Sequence, residues 1–339
     1  MQRKINPKNE QVKRRYFDFL RHADGKSEKT IRIVEKAILQ FESFTRFADF
    51  KRFDQRQAIA YKSYLIDHRL AKATLLTRLN HLKRFLRWLS RQAGYKRQIQ
   101  IDDVEYLSLP EKDIRAATSS PPKPYPTLAM VKRAIQAMPY GTPIEIRNRA
   151  LIATCAVTGI RGKALVTLRL KHFDNARRLF TQDPREVDTK FSKLIQTFIF
   201  PLDDELEQIV MEWVNYLETR KLFAPHDPLF PKTLIQRDKG FDVLSEDLSR
   251  DVWKTTTSLR EIFKNAFEAV SLPYHSPHTF RRMIVHEMYQ RGLSVQEFKA
   301  WSMNLGHENP QTTLTSYGQL SEYDCERIIR GGLNFSKTG

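Results

Sequence analysis

Residues 278–318 read HTFRRMIVHEMYQRGLSVQEFKAWSMNLGHENPQTTLTSYG, and their punctuation decides how the second half of the chain is built. Pro273 and Pro277 oppose helix, so a helix is predicted to start only at His278 or Thr279. Arg281 then lies one turn from His278, and the two side chains can face one ligand. Ser294 with Glu297 is a capping box that opens a second helix, and Gly306 closes it. Asn309 and Pro310 read as N-cap and first residue of a third helix, which carries Tyr317. Independent start and stop signals therefore aim His278, Arg281, His307 and Tyr317 at one place, where they can converge on a single phosphate.

Charge is distributed unevenly around this stretch. The 339 residues carry 57 Lys and Arg against 39 Asp and Glu, a formal charge of +18. Residues 1–100 hold 25 basic and 9 acidic residues, while the remaining 239 are nearly balanced at 32 and 30. A polyanion is the partner such an asymmetry implies. The basic third is also helical throughout. Val12, Tyr16, Phe17 and Leu20 recur at helical spacing up to a break at Asp24-Gly25. Ser27 and Asp54 are suited to cap the next two helices, and Leu75, Leu76, Leu79, Leu82, Leu86 and Leu89 form the apolar face of a fourth. Between Arg69 and Arg97 there are nine basic residues and no acid. A helix of one sign forgoes pairing along its own face, so phosphates arriving there are the better explanation. The DNA-contact candidates are Arg69, Lys72, Arg78, Lys83, Arg84, Arg87 and Arg91; Trp88 and Leu89 read as core.

Beyond Gln98 the periodicity fails. Pro121, Pro122, Pro124 and Pro126 suggest an extended connection. The predicted organisation is a helical domain over residues 1–98, a linker over 99–126 and a second domain over 127–339. In that domain helices are expected at 128–138 and 144–157, strands at RRLFTQ and around Ile195, Phe198 and Phe200, and helices at 204–220 and 258–270. The fold class is mainly α with a small β-sheet. Asp203, Asp204 and Glu205 read as helix-start acids, not as a catalytic cluster. Two isolated cysteines, Cys155 and Cys325, make neither a disulfide framework nor a zinc site. With no secretory leader and no apolar run of membrane-spanning length, a cytoplasmic, nucleoid-associated protein is expected.

Cleaving a phosphodiester needs an in-line nucleophile, charge stabilisation on the non-bridging oxygens and a proton for the leaving oxygen. Arginines supply fixed bidentate donors, tyrosine a covalent nucleophile, and histidine or lysine a proton. Metal-assisted hydrolysis instead wants grouped carboxylates, which this basic region lacks, and Pro277 keeps His275 and His278 from converging on an ion. No metal or cofactor is expected.

At these residues the sequence resembles the tyrosine recombinase, or phage integrase, family over about residues 12–332. TGIRG at Arg161 is similar to the family's first arginine motif, HTFR to its His-x-x-Arg box at His278 and Arg281, LGH to the box ending at His307, and Tyr317 to its nucleophile. Counting back eight residues from Pro201 selects Lys193 as the hairpin lysine, with Lys190 next. The resemblance implies a SAM-like core-binding bundle followed by a mixed α/β catalytic domain. It implies attack by Tyr317 to leave a 3′-phosphotyrosyl link and a free 5′-hydroxyl. Arg161, Arg281 and His307 would stabilise the transition state, Lys193 would protonate the leaving oxygen, and His278 would act as base or orienting group. It further implies double-stranded core sites as partner, with a dimer per site and a tetramer in synapsis, commonly for integration or excision of a mobile element. The short segment before Val12 suggests the type without an arm-binding domain. Two departures stand out: Ala164 occupies a position often held by an acid, and the stretch 292–307 is about three residues longer than usual. A type IB-like topoisomerase and a DNA-binding regulator with a dead site are the alternatives.

Overall fold

In the computed structural model the chain divides into two units, residues 1–121 and 122–339. Residues 5–118, 124–189, 193–238, 241–316, 325–326 and 329–330 are described. The first unit is built from α1 (Pro7–His22), α2 (Glu28–Phe44), α3 (Gln55–Asp67) and α4 (Lys72–Leu89). Their starts follow local chemistry: Asn6, Ser27 and Asp54 each accept backbone N–H bonds in the first turn of α1, α2 and α3. Leu75, Leu79, Leu82, Phe85, Leu86 and Leu89 of α4 are buried against Tyr16, Ile38, Phe41 and Tyr61. A polar lock sits beside this core. Lys13 reaches the fully buried Glu42 at 2.6 Å, and Asn9 bonds both Glu42 (3.1 Å) and the Ala48 carbonyl (2.9 Å). Such a charge is tolerated inside because each carboxylate oxygen of Glu42 has a donor.

The linker expectation is corrected in part. Within residues 99–126 the chain forms α5 (Ile101–Glu105) and α6 (Glu111–Thr118). Val104, Leu107 and Leu109 are buried in the first unit's core. Each piece is too short to show a helical period, so only its anchors could have revealed it.

The second unit is organised around α8 (Pro143–Thr158), ten of whose residues from Arg147 to Thr158 are buried. Thr142 and Glu145 form its capping box, with Pro143 in the first turn. From Ala150 on the helix carries no charged residue on any side and must lie inside, and α7 (Leu128–Gln136), α10 (Asp204–Thr219) and α12 (Phe280–Gln290) pack around it. After the single turn α9 (Gly162–Leu165), strands β1 (Phe173–Asp174), β2 (Leu179–Gln182) and β3 (Ile195–Phe198) form an antiparallel sheet in that order. In β3, Ile195 and Thr197 face inward, whereas Phe198 is 44% exposed. Phe200 is buried just past the strand. A second hairpin, β4 (Thr233–Asp238) with β5 (Phe241–Leu248), was not foreseen. Helices α11 (Thr257–Glu268), α13 (Val295–Asn304) and α14 (Pro310–Ser316) complete the unit. Trp301 of α13 packs on Phe200 at 4.7 Å between ring centres. Among the described residues no helix is long and apolar enough to cross a membrane.

Candidate active site

The site grows from two helix C-termini. Helix α8 ends at Gly159, whose φ of +62° is the left-handed cap conformation that favours glycine. Helix α13 ends at Leu305, followed by Gly306 at φ +74°. Each end leaves carbonyls without helical partners. Arg281, one residue into α12 and 2% exposed, enters between them. Its Nη1 donates to the Gly159 carbonyl at 2.8 Å, and its Nη2 to the Leu305 carbonyl at 2.5 Å and to His307 Nε2 at 2.8 Å. The negative ends of two helix dipoles thus hold the guanidinium.

His307 is 5% exposed. Its Nδ1 lies 2.7 Å from Thr313 Oγ1 on α14, and Thr313 Oγ1 lies 2.6 Å from Ser302 Oγ on α13. Thr313 and Ser302 are both fully buried. Of the residues foreseen from sequence, Arg281 and His307 are therefore in direct contact. Arg161 stands two residues beyond Gly159, as the N-cap of α9. Its guanidinium has no hydrogen-bond or ion-pair partner among the described residues. Gly162 presses the same loop against Leu259 and Pro277, for a Cβ there would meet Leu259 Cδ2 at 2.9 Å and Pro277 Cβ at 3.7 Å. That packing sets the Arg161 loop beside the 3-10 turn Pro277–Thr279, where His278 is exposed and one turn before Arg281.

Lys193 lies in the loop before β3 and forms an ion pair with Glu308, the residue after His307. The β2–β3 connection is tied down near its start as well: Asp188 pairs with Lys163 and takes a backbone bond to Thr167 Oγ1 at 3.1 Å. Ala164 is buried, so no acid stands at that position. Tyr317 and Lys190 lie outside the described residues; α14 ends at Ser316, next in sequence to the tyrosine. Thr313, Ser302, Glu308 and Asp188 were not anticipated. A hydroxyl six residues after a histidine gives no signal until the turn at Gly306 folds it back.

On the first unit, the basic helix finds acids that its own sequence lacks. Lys83 and Arg87 both pair with Glu105, Arg84 with Asp24 (2.5 Å), and Lys72 with Asp113 (3.3 Å). Arg78 donates to Gln40 at 2.5 Å. None of these partners lies on the helix itself: they come from α5, α6 and the α1–α2 turn. Arg69 ends the α3–α4 turn in the left-handed region, and Arg91 borders a groove with Tyr16, Phe19, Lys83, Arg84, Arg87 and Trp88. Exposed pairs of this kind contribute roughly 0–1 kcal/mol, so arriving phosphates can exchange with them.

Fold and site together define the class: a mainly helical chain of two units, whose second unit holds a buried Arg281 in contact with His307, next in sequence to the Glu308 that pairs with Lys193. Residues 127–323 match the phage integrase family model, and the chain belongs to that family. It is 24% identical over 308 residues to the tyrosine recombinase XerC of Lactobacillus delbrueckii subsp. bulgaricus, covering 89% of this chain and 92% of that protein. In fold it is similar to a lambda integrase solved as a dimer bound to a COC′ core site (TM-score 0.62, 16% identity, 91% of this chain and 95% of that one). The Tn1549 transposon integrase in complex with transposon right end DNA is similar too (TM-score 0.61, 16% identity, 95% and 99%).

Proposed function

We propose that the chain is a site-specific DNA recombinase, an integrase of a mobile element, which cuts and rejoins DNA through a covalent tyrosyl intermediate. The observation that carries this reading is Arg281 held between two helix-end carbonyls and in contact with His307. A carbonyl orients an N–H without cancelling the guanidinium's charge.

In this reading the Tyr317 oxygen attacks the scissile phosphorus and gives its proton to His278. A bond from phosphorus to the tyrosyl oxygen forms while the bond to the 5′-oxygen breaks. That oxygen leaves with a proton from Lys193. Arg161, Arg281 and His307 hold the non-bridging oxygens during the transfer. A second 5′-hydroxyl reverses the steps, so no external energy source is needed. The first unit acts as the core-binding domain that grips duplex DNA, through Arg69, Lys72, Arg78, Lys83, Arg84, Arg87 and Arg91. Residues 127–339 act as the catalytic domain. The solved DNA complexes of its structural neighbours support DNA as the partner, and the lambda integrase dimer supports assembly of copies on the site.

The test is a trapping assay on nicked duplexes in which the cleaved strand end diffuses away. The wild-type chain accumulates a covalent protein–DNA adduct, with or without EDTA. Tyr317→Phe binds the same DNA but forms none. An adduct surviving in Tyr317→Phe removes the tyrosine from its role, and a strict magnesium requirement overturns the mechanism. Strand exchange between two marked duplexes, as against relaxation alone, separates recombinase from topoisomerase.

A further inference from the structure

We propose that Thr313 and Ser302 are positioning residues of this site: a buried hydroxyl pair that fixes the ring of His307 and governs which nitrogen it presents. The inference rests on the reading of His307 as a phosphate-facing group, and its first step is hydrogen-bond arithmetic. A guanidinium has donors only, so His307 Nε2, 2.8 Å from Arg281 Nη2, must accept. The imidazole is then neutral with its proton on Nδ1, and that N–H points at Thr313 Oγ1, 2.7 Å away. Thr313 accepts it and can donate its own O–H in a hydrogen bond to Ser302 Oγ at 2.6 Å. Arg281, His307, Thr313 and Ser302 thus form one chain of bonds across three helices, every member at most 5% exposed.

Packing alone would not select these residues. Hydroxyls buried without partners are costly, and apolar side chains would fill the space between α13 and α14 as well. What a hydroxyl pair adds is reversibility. A phosphate oxygen can only accept, so a His307 that meets one must carry its proton on Nε2. Its Nδ1 is then either still protonated, with Thr313 accepting, or bare, with Thr313 donating. A threonine hydroxyl serves both states by rotation, and Ser302 supplies the second half of the pair in either direction. The ring stays in place while its protonation changes. Thr313 also lies on α14, described as far as Ser316, the residue next in sequence to Tyr317.

The experiment uses the full chain with Thr313→Val, Thr313→Ser and Ser302→Ala. DNA affinity, single-turnover adduct formation across pH, and ¹⁵N imidazole spectra are measured, with the His307 signals assigned by His307→Gln. Thr313→Val is expected to bind DNA as the wild type does but to form adduct roughly ten- to a hundredfold more slowly, the scale seen when an imidazole loses its orienting partner. Its pH profile shifts. Thr313→Ser restores the rate to within a few-fold, and Ser302→Ala falls between. The spectra are expected to show the Nδ1–H tautomer in the wild type and a mixture in Thr313→Val. A wild-type rate and pH profile in Thr313→Val overturns the proposal, as does a Thr313→Ser no better than the valine. Should Thr313→Val fail to fold, Ser302→Ala decides: an unchanged pH profile and tautomer there sink the idea. Should the wild type form no adduct at all, the proposed function fails, while the tautomer spectra still decide the role of the hydroxyls.

Discussion

Gly159→Ala tests whether the end of α8 seats Arg281. At φ +62° an alanine occupies a left-handed conformation that costs about 1–2 kcal/mol. Its Cβ would also stand 2.9 Å from Ile284 Cδ1, 2.9 Å from Leu305 Cδ2 and 3.4 Å from Arg281 Cγ. Ile284 and Leu305 are 0% and 2% exposed, so they can yield only by disturbing neighbours, an overpacking term of about 1–3 kcal/mol. The stiffer unfolded chain offsets about 0.4–1 kcal/mol. The net loss is roughly 2–4 kcal/mol, or about 5–15 °C in the melting temperature of a unit this size. Gly292→Ala is the control: its φ is +61°, it lies in the same unit, and a Cβ there meets nothing within 4 Å. It bears the backbone cost alone. The difference between the two variants isolates the packing against Ile284, Leu305 and Arg281. Adduct formation should separate them further, since a small displacement of a catalytic group can cost up to about a hundredfold. Gly292→Ala keeps the wild-type rate, and Gly159→Ala loses at least about tenfold. Equal melting temperatures and equal rates for the two alanines would refute the claim that the α8 terminus holds Arg281 in place.

Other perturbations address the charges. Glu308 competes with phosphate for Lys193, so Glu308→Gln should raise the cleavage rate about two- to fivefold at low salt, a gain that fades as screening increases; a salt-independent loss of rate would show that Glu308 positions the lysine instead. Glu105→Gln frees Lys83 and Arg87 and should tighten DNA binding and steepen its salt dependence, whereas neutralising Arg84, Arg87 and Arg91 together should weaken and flatten it; titrations at several salt concentrations check both. Burial beside Phe267 pushes the His275 imidazole below its ordinary value of 6.5. The unfolded chain therefore takes up the proton first, and the stability of neutral His275 is complete above about pH 6.5 and lost as pH falls through the lowered folded value. His275→Phe should flatten that decline in melts across the range.

Much of the site could be read from sequence because helix ends obey local rules. Ser294 and Glu297 bond each other's backbone within one turn, so no distant contact was needed to place α13. The same holds for Ser27, Asp54 and the Thr142–Glu145 box. What escaped is non-local. Glu105 and Asp24 reach the basic helix only once the first unit folds, so a run of like charge concealed ordinary ion pairs. The β4–β5 hairpin is rich in charge and gives little alternation, and its partner strand is its main support. Thr313 and Ser302 are single hydroxyls on separate helices; only the left-handed turn at Gly306 turns them into neighbours of His307.

That turn also bears on the stretch 292–307, which from sequence is expected to be about three residues longer than is usual in the family. A Cβ at Gly306 would lie 3.0 Å from Ile195 Cγ2 and 3.1 Å from its Cδ1, so the turn is packed directly on β3. Asn304 adds a bond from the Phe198 N–H at 2.7 Å and another to the Phe198 carbonyl at 3.0 Å. The approach to His307 is therefore not slack. It runs through α13, whose C-terminal end is fastened to the strand that follows Lys193. The segment carrying the lysine and the segment carrying the histidine are joined at Asn304, at Gly306 and at Glu308. A change that moves β3 must then move His307 with it, which ties Lys193 and His307, the proposed proton donor and phosphate-facing imidazole, to one mechanical element.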